Sequence, residues 1–188
     1  MTAMDDLLAR CHRVGGDARN TNYAGGNASA KAEIVNPATG VATRVMYVKG
    51  SCGDLGTLTA SGFAVLDLSR VEGLVGVYRG PPHEDEMVGL FDHCLFGRGG
   101  AAPSIDTAMH TLVGALHVDH LHPDSIIAFA AAVDGPELTR RCFGDQVLWV
   151  DWPRSARRAP TTSFAPFEPT PLYNWSEMEQ RVQWSADA

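Results

Sequence analysis

Four of the seven histidines lie close together in the sequence, at His110, His117, His120 and His122. Residues 116 to 122, LHVDHLH, have the pattern of a strand, in which alternate side chains point to one face. His120 and His122 are therefore expected to point the same way, about 6 to 7 Å apart along the chain, with His117 on the opposite face. Two imidazoles at this spacing can chelate one divalent metal and leave positions open for a substrate. The same pair can instead be two histidines hydrogen-bonded near the core, and an H-x-H motif alone does not separate these interpretations.

A complete metal site needs more than this pair. A tetrahedral catalytic zinc usually has three protein ligands and a water molecule. No histidine follows His122 in the chain, so a third ligand would be Asp, Glu or Cys, would come from elsewhere, or would be absent. Zn²⁺ is the expected metal, and Mn²⁺ or Fe²⁺ held by two histidines and a carboxylate such as Asp106 is the alternative.

An acidic residue and small-residue loops precede the histidines. Asp106, in the turn that begins Pro103-Ser104, could carry a proton to and from a substrate carbon or oxygen. It could equally be the N-cap of a following helix. The segments GGNAS (25–29) and KGSCG (49–53) can expose backbone N–H groups to a phosphate, although such segments are also ordinary turns.

The elements that would position these residues alternate between helix and strand without a regular βαβ rhythm. This order predicts a mixed sheet flanked by helices. The periodicity predicts helices at 4–14 and 83–97 and a helix from Pro123 that closes at Asp134-Gly135-Pro136, and it predicts strands at 31–35, 41–49, 63–68, 116–122 and 146–152. The turn Asn36-Pro37-Ala38-Thr39-Gly40 predicts that the first two strands form a hairpin. A proline-rich stretch at 153–171 is expected to be an extended arm, with a short helix at 176–182, so that the domain covers 1–153 and an irregular extension covers 154–188.

The composition restricts the class of protein. With 15 Lys and Arg against 22 Asp and Glu, the net charge of −7 disfavours a general nucleic-acid-binding protein, which needs a basic surface. The four cysteines form no C-x-x-C pair, which is typical of reduced thiols in the cytosol. The first residues lack the basic and apolar regions of a signal peptide, and no stretch approaches the roughly 18 to 20 apolar residues of a membrane span. We therefore expect a cytoplasmic protein without a membrane or nucleic-acid partner.

Five motifs occur in the order GNAS, KGSCGDLGTL, HEDEMV, PSIDTAMH and HVDHLHP. In combination they resemble the class II aldolase/adducin superfamily over about residues 5 to 153. Within it, the resemblance is strongest to the aldolase part of bifunctional rhamnulose-1-phosphate aldolase/lactaldehyde dehydrogenase proteins. The resemblance implies a three-layer α/β/α domain with a mostly antiparallel central sheet, and commonly a homotetramer.

The same resemblance implies a chemistry. It would be zinc-dependent, reversible cleavage of a ketose 1-phosphate, such as rhamnulose 1-phosphate, to dihydroxyacetone phosphate and an aldehyde. His120 and His122 match the zinc-binding H-x-H of the family, and Asp106 takes the place of its acid/base residue. The matches to its phosphate-binding loops are Asn27, Ser51, Gly53 and Ser104.

A second function stays open, because this sequence departs from the family pattern. It has no counterpart of the third zinc histidine or of the dehydrogenase half of the bifunctional proteins, and after Trp152 it does not resemble the family sequence. The alternative is a catalytically inactive relative that acts as a binding or assembly module, as the adducin branch does.

Overall fold

A computed structural model describes residues 2–22, 25–51, 53–79 and 83–149. The predicted arm at 153–171 and the predicted helix at 176–182 lie outside these residues, as does Cys52 of the KGSCG loop. The division between 1–153 and 154–188 therefore stays a prediction.

One five-stranded sheet organises the described part of the chain, and each neighbouring pair of strands is antiparallel. The mixed sheet predicted from the order of helices and strands is therefore wrong for these residues, and the mostly antiparallel sheet implied by the resemblance is confirmed. The strands are β1 (Asn27–Val35), β2 (Ala42–Lys49), β3 (Phe63–Asp67), β4 (Leu95–Gly100) and β5 (His117–His120), in the spatial order β4-β3-β2-β1-β5. The predicted hairpin is confirmed, because β1 and β2 pair directly up to Val35 opposite Ala42. Its turn is closed by the N–H of Gly40, which donates to the carbonyl of Asn36 at 2.8 Å, and Gly40 has a φ of +71° that favours glycine.

The helices of the described residues are α1 (Ala3–Gly15), α2 (Ala18–Thr21), α3 (Leu68–Gly73), α4 (Glu84–Phe91), α5 (Thr107–Leu112), α6 (Asp124–Ala131) and α7 (Gly135–Phe143). Thr2 begins α1 as its N-cap, and Thr2 and Asp5 form a reciprocal capping box of the kind that satisfies two free N–H groups of the first turn.

The sheet has an apolar core on each face, so the predicted three-layer α/β/α arrangement is confirmed. On one face α1 covers β1, and the buried residues there are Leu7, Cys11, Ala28, Ala30, Leu55, Leu58 and Phe63. On the other face α3 and α4 cover β2 and β3, and the buried residues are Met46, Val48, Ala64, Leu66, Leu68, Val71, Met87, Phe91 and Cys94. The alternation of side chains along each strand supplies both cores from the same sheet.

The helix predicted at 83–97 is too long at its carboxyl end. Helix α4 ends at Phe91, one turn of 3-10 helix follows at Asp92–Cys94, and β4 begins at Leu95. The glycine-rich GRGG sequence pairs with β3, and a Cβ atom at Gly100 would lie 2.1 Å from the carbonyl oxygen of Phe63. This close approach of two backbones requires glycine. The pairing with β3 therefore makes this segment a strand, although the apolar periodicity of the helix continues to Leu95.

Three further predictions need correction. The strand at 146–152 is wrong for residues 146–149, which form no strand, and its remainder lies outside the described residues. Gly135-Pro136 does not simply close a helix, because α6 ends at Ala131 and Gly135 begins α7, where proline is favoured in the first turn. The strand predicted at 116–122 is shorter, since β5 ends at His120.

In the part of the chain that the structure describes, no helix has the length and apolar character needed to cross a membrane. Cys11, Cys94 and Cys142 are free thiols.

Candidate metal and carboxylate site

The pairing of β1 with β5 decides which side chains share a face. Asn27 lies directly opposite His120, and Ala30 lies opposite His117, and directly paired residues of an antiparallel ladder point to the same side. Because side chains alternate along β5, His120 faces the side of the sheet covered by α5, whereas His117 faces α1. There the side chain of Arg10 contacts Nδ1 of His117 at 2.9 Å. The predicted opposite parity of His117 and His120 is confirmed.

His120 and His122 converge. Their Nε2 atoms lie 3.0 Å apart, and their ring centroids are 4.7 Å apart with an interplanar angle of 67°. The rings are closer than strand alternation predicts, because His122 lies beyond the end of β5. Its backbone N–H donates to the carbonyl of Asn20 at 2.9 Å, which turns the chain back. Two facing imidazole nitrogens can either share one N–H···N hydrogen bond or donate both lone pairs to one cation.

Two glycines of the GGNAS segment make room for this pair. A Cβ atom at Gly25 would lie 2.2 Å from Nδ1 of His122, and one at Gly26 would lie 2.7 Å from the carbonyl oxygen of His120. Gly26 also has a φ of +90°. The sequence suggested a phosphate-binding turn here, and the structure places these glycines against the histidines. No periodicity could reveal this contact, because it depends on how β5 and its following bend meet the start of β1.

Asp106 stands beside His120. Its Oδ1 atom lies 3.6 Å from Nδ1 of His120, and its Oδ2 atom accepts a hydrogen bond from the side-chain amide of Asn27 at 3.1 Å. Asp106 precedes α5 at the N-cap position, but its side chain makes no capping hydrogen bond. The carboxylate is therefore directed to the histidine side and not to the helix.

The same neighbours set the ionisation of Asp106. Burial raises the pKa of this carboxyl group, but the nearby His120 and the hydrogen bond from Asn27 outweigh burial and bring the pKa below its ordinary value. Asp106 is thus a carboxylate at neutral pH, the form that accepts a proton.

The loops predicted to bind phosphate are joined to one another. Ser104 accepts a hydrogen bond from Asn27 at 2.8 Å, and Ser51 donates from Oγ to the carbonyl of Pro103 at 3.0 Å. Gly53 lies further along the KGSCG loop, with a φ of +97°. The structure thus brings Asn27 and Ser104 together beside Asp106, and holds Ser51 against the loop that carries them.

Sequence analysis assigned no role to His110, which is fully buried on α5. Its Nδ1 atom is hydrogen-bonded to Oγ of Ser29 at 2.8 Å. Three buried side-chain atoms of the described residues lack a hydrogen-bond partner, namely Nε2 of His110, Oγ1 of Thr107 and Nδ1 of His120. Buried polar atoms are normally satisfied, so their concentration on α5 and β5 marks a polar interior beside Asp106.

Burial favours the neutral imidazole of His110 and of His122. Burial lowers the pKa of His110 to about 4. Burial, and then the proximity of His120, lower the pKa of His122. A neutral imidazole is the form that binds a metal. Two donors suit a divalent metal, because the Nε2 atoms of His120 and His122 converge. The carboxylate of Asp106 lies beside His120. Among the described residues, however, no three His, Cys, Asp or Glu side chains form a group that could hold a metal ion.

Comparison with known protein families identifies the family of this chain. Residues 6–162 match the class II aldolase and adducin N-terminal domain. The chain belongs to the class II aldolase/adducin family. This finding confirms the resemblance carried by the five motifs, and class II aldolases are generally metal-dependent.

This class II aldolase domain is 34% identical over 151 residues to the "Uncharacterized oxidoreductase YuxG" of Bacillus subtilis (strain 168). The similarity covers 80% of this chain and 22% of that protein, so the chain spans about a fifth of the length of this relative. The fold is also similar to the N-terminal class II aldolase domain of a conserved protein from Thermoplasma acidophilum, with a TM-score of 0.68 at 22% identity. That similarity covers 76% of this chain and 65% of the other, and it supports the fold of the aldolase domain.

Proposed function

We propose that this class II aldolase domain catalyses metal-dependent retro-aldol cleavage of a ketose 1-phosphate resembling rhamnulose 1-phosphate. The products would be dihydroxyacetone phosphate and an aldehyde. One observation supports this proposal above the others: Nε2 of His120 and Nε2 of His122 converge at 3.0 Å, with the carboxylate of Asp106 beside His120.

The metal proposed for this pair is Zn²⁺, with Mn²⁺ or Fe²⁺ as the alternative. His120 and His122 would hold it, and when bound it would supply a Lewis acid that polarises a carbonyl oxygen of the substrate. No third His, Cys, Asp or Glu side chain of the described residues completes a group with them.

Asp106 is proposed as the acid/base. As a carboxylate at neutral pH, it can accept the proton of the substrate hydroxyl group whose carbon becomes the aldehyde. The electron pair of that O–H bond forms the new carbonyl as the carbon–carbon bond breaks, and the proton held by Asp106 can return to the other product.

The phosphate end of the substrate is assigned to Asn27, Ser51, Gly53 and Ser104. Hydroxyl groups and backbone N–H groups can bind a dianion without a cationic side chain, which suits a protein with a net charge of −7. The proposed context is a cytoplasmic homo-oligomer, a tetramer by resemblance, that acts on a small sugar phosphate.

A second candidate function follows from the absence of a three-ligand group among the described residues. A site with two histidines and water binds zinc weakly, and a chain that does not retain metal would be a binding or assembly module of the adducin kind. Metal analysis after dialysis separates the two functions, because the enzyme should retain about one equivalent of zinc and the inactive module should retain none.

The direct experiment measures dihydroxyacetone phosphate released from rhamnulose 1-phosphate by the full chain with added Zn²⁺. We expect turnover that is abolished by His120→Ala and retained by His117→Ala, since His117 lies on the other face of the same strand. Zinc-loaded protein that cleaves no ketose 1-phosphate would overturn the aldolase proposal.

A further inference from the structure

Helix α5 follows Asp106 directly, and it packs on the sheet mainly through polar side chains. Its buried residues are Thr107, His110 and Thr111. The apolar side chains that it packs against the neighbouring core, Ala108 and Leu112, are only partly buried. The helix has six residues, and a helix of this length is not stable without tertiary contacts. Its position, and with it the position of Asp106, therefore depends strongly on the hydrogen bonds that join it to the sheet.

Alternate side chains of β1 make these hydrogen bonds. Asn27 donates to Ser104 and Asp106, which precede the helix. Ser29 points to the same face of the strand as Asn27, and its Oγ lies 2.8 Å from Nδ1 of His110, in the middle of α5. These contacts leave the carboxyl end of α5 to be held by a third residue.

Lys31 is the next residue on this face of β1, and it contacts the carboxyl end of α5. Its Nζ donates to the carbonyl oxygen of Thr111 at 3.2 Å and to that of Val113. The last carbonyl groups of a helix have no partner within the helix, and the negative end of the helix dipole favours a cation there. Burial lowers the pKa of the Lys31 amine, and the two carbonyl groups offset part of the cost of burying its charge.

We infer that Lys31 is a positioning residue that fixes the place of Asp106 by holding the opposite end of α5. The helix is about 9 Å long at 1.5 Å per residue, and its backbone connects the two ends. The N–H of Val113 donates to the carbonyl of Met109 at 3.1 Å, and the N–H of His110 donates to the carbonyl of Asp106 at 3.0 Å. The inference rests on the proposed function for its effect on catalysis, and on these hydrogen bonds alone for its effect on α5.

Amide hydrogen exchange of the full chain, without substrate or metal, tests the effect on α5. Lys31→Met keeps the length of the side chain and removes its donors. We expect the amides of Val113 and His110 to exchange between about 10- and 100-fold faster than in the wild-type chain, as loss of a hydrogen bond from a charged donor predicts. The matched control is Arg44→Met, which removes an exposed cation from β2 and should change these rates by less than about 3-fold.

Two outcomes of this measurement overturn the inference. If Val113 exchanges faster while His110 keeps its wild-type rate, the effect of Lys31 does not reach the turn that carries Asp106. If exchange accelerates by one factor throughout the sheet, the variant has lost overall stability and not the local support of α5. Should Lys31→Met fail to fold, Lys31→Gln, which keeps a neutral donor, undergoes the same measurement with the same expected difference between α5 and the sheet.

Kinetics with rhamnulose 1-phosphate and added Zn²⁺ test the effect on catalysis. Lys31→Met should lower kcat by between about 10- and 100-fold, the range expected when a catalytic group is displaced. KM should change by a smaller factor, because Ser104 keeps its own hydrogen bond from Asn27. In an Asp106→Ala background, Lys31→Met should cause no further loss of kcat, since the group that it positions is already absent. An unchanged kcat, or an equal loss in both backgrounds, overturns the positioning role.

The two measurements separate failure of this inference from failure of the proposed function. If the wild-type chain cleaves no ketose 1-phosphate but His110 exchanges faster in Lys31→Met, only the aldolase proposal is overturned. If the wild-type chain is active and the exchange of His110 is unchanged by Lys31→Met, the role of Lys31 is overturned and the aldolase proposal stands.

Discussion

Nε2 of His122 lies 3.0 Å from Nε2 of His120, although only His120 belongs to a strand. The pair therefore depends on two different supports. His120 is fixed by the ladder between β1 and β5, whereas His122 is fixed by the bend that follows and by the space left at Gly25. Each support leads to a separate prediction.

Removal of either imidazole should weaken metal binding. We expect His120→Ala or His122→Ala to lower the affinity for Zn²⁺ by more than the roughly 10- to 100-fold that loss of an outer hydrogen-bond partner costs. Titration calorimetry with Zn²⁺ measures this change. His117→Ala, on the opposite face of β5, is the control and should bind zinc as the wild-type chain does. Equal affinities of all three variants would contradict a site between His120 and His122.

A methyl group at Gly25 should displace the ring of His122. In Gly25→Ala the new Cβ would lie 2.2 Å from Nδ1 of His122 and 2.8 Å from the carbonyl oxygen of Thr21, so the ring has to move. We expect zinc affinity to fall about as far as in His122→Ala. The control is Gly89→Ala on α4, where nothing lies within 4 Å of a new Cβ and a helical alanine stabilises by up to about 1 kcal/mol. Wild-type affinity in Gly25→Ala would refute the steric argument.

Arg10 should stabilise the attachment of β5. Its guanidinium group donates to Oδ1 of Asp119 at 2.8 Å and to the carbonyl of Ser29 at 2.6 Å, and its side chain is 14% exposed. Because Arg10→Ala leaves these acceptors poorly satisfied, we expect the free energy of unfolding to fall by about 2 kcal/mol. Urea unfolding checks this value.

The control for Arg10 is Arg44→Ala. Arg44 pairs with Glu72 at the surface, with side chains 55% and 42% exposed, and such pairs contribute at most about 1 kcal/mol. If Arg44→Ala cost as much as Arg10→Ala, the greater contribution assigned to the less exposed contact would be wrong.

His110 should make the fold sensitive to mild acid. Burial lowers the pKa of His110 to about 4, from an ordinary value of 6.5, with Asp106 raising it and His120, Lys31 and Arg10 lowering it further. The unfolded chain therefore binds a proton below about pH 6.5 that the folded chain does not bind until about pH 4. The corresponding stability is present above pH 6.5 and is lost as the pH falls towards 4, by on the order of 3 kcal/mol.

Unfolding free energies measured between pH 7 and pH 4.5 test this dependence. His110→Gln, which stays neutral throughout, should have a flatter profile than the wild-type chain. His93→Gln, on an exposed residue, should keep the wild-type slope. Parallel profiles for the wild-type chain and His110→Gln would show that His110 does not cause the effect.

The parts of the fold that could be predicted from the sequence are those set by local rules. The hairpin between β1 and β2 follows from alternating side chains and the turn from Asn36 to Gly40. The end of α4 could not be predicted in this way, because Cys94 and Leu95 continue the apolar stripe of the helix. Pairing of the GRGG segment with β3, a contact between distant parts of the chain, decides that a strand begins there.

The residues of the site likewise fall into those that local sequence patterns identify and those that depend on long-range contacts. The H-x-H spacing identified His120 and His122, and the turn that begins Pro103-Ser104, shortly before the histidines, made Asp106 a candidate, because these are patterns within a few residues. The roles of Gly25 and His110, and the contact of Arg10 with β5, depend on the register of β1 against β5 and on the docking of α5. Neither is encoded in local spacing, so residue types alone gave no signal for them.

The connection between Asn27 and Asp106 also has a consequence for the order of folding. These residues are 79 positions apart, and among the strands of the described residues β5 pairs with β1 alone. Contacts over such separations close large loops, which costs entropy before any contact is gained. We therefore expect the histidines, the carboxylate and the amide to come together late in folding. A divalent metal ion added to a refolding chain would find its ligands only after most of the sheet had formed, and its capture would report the completion of folding.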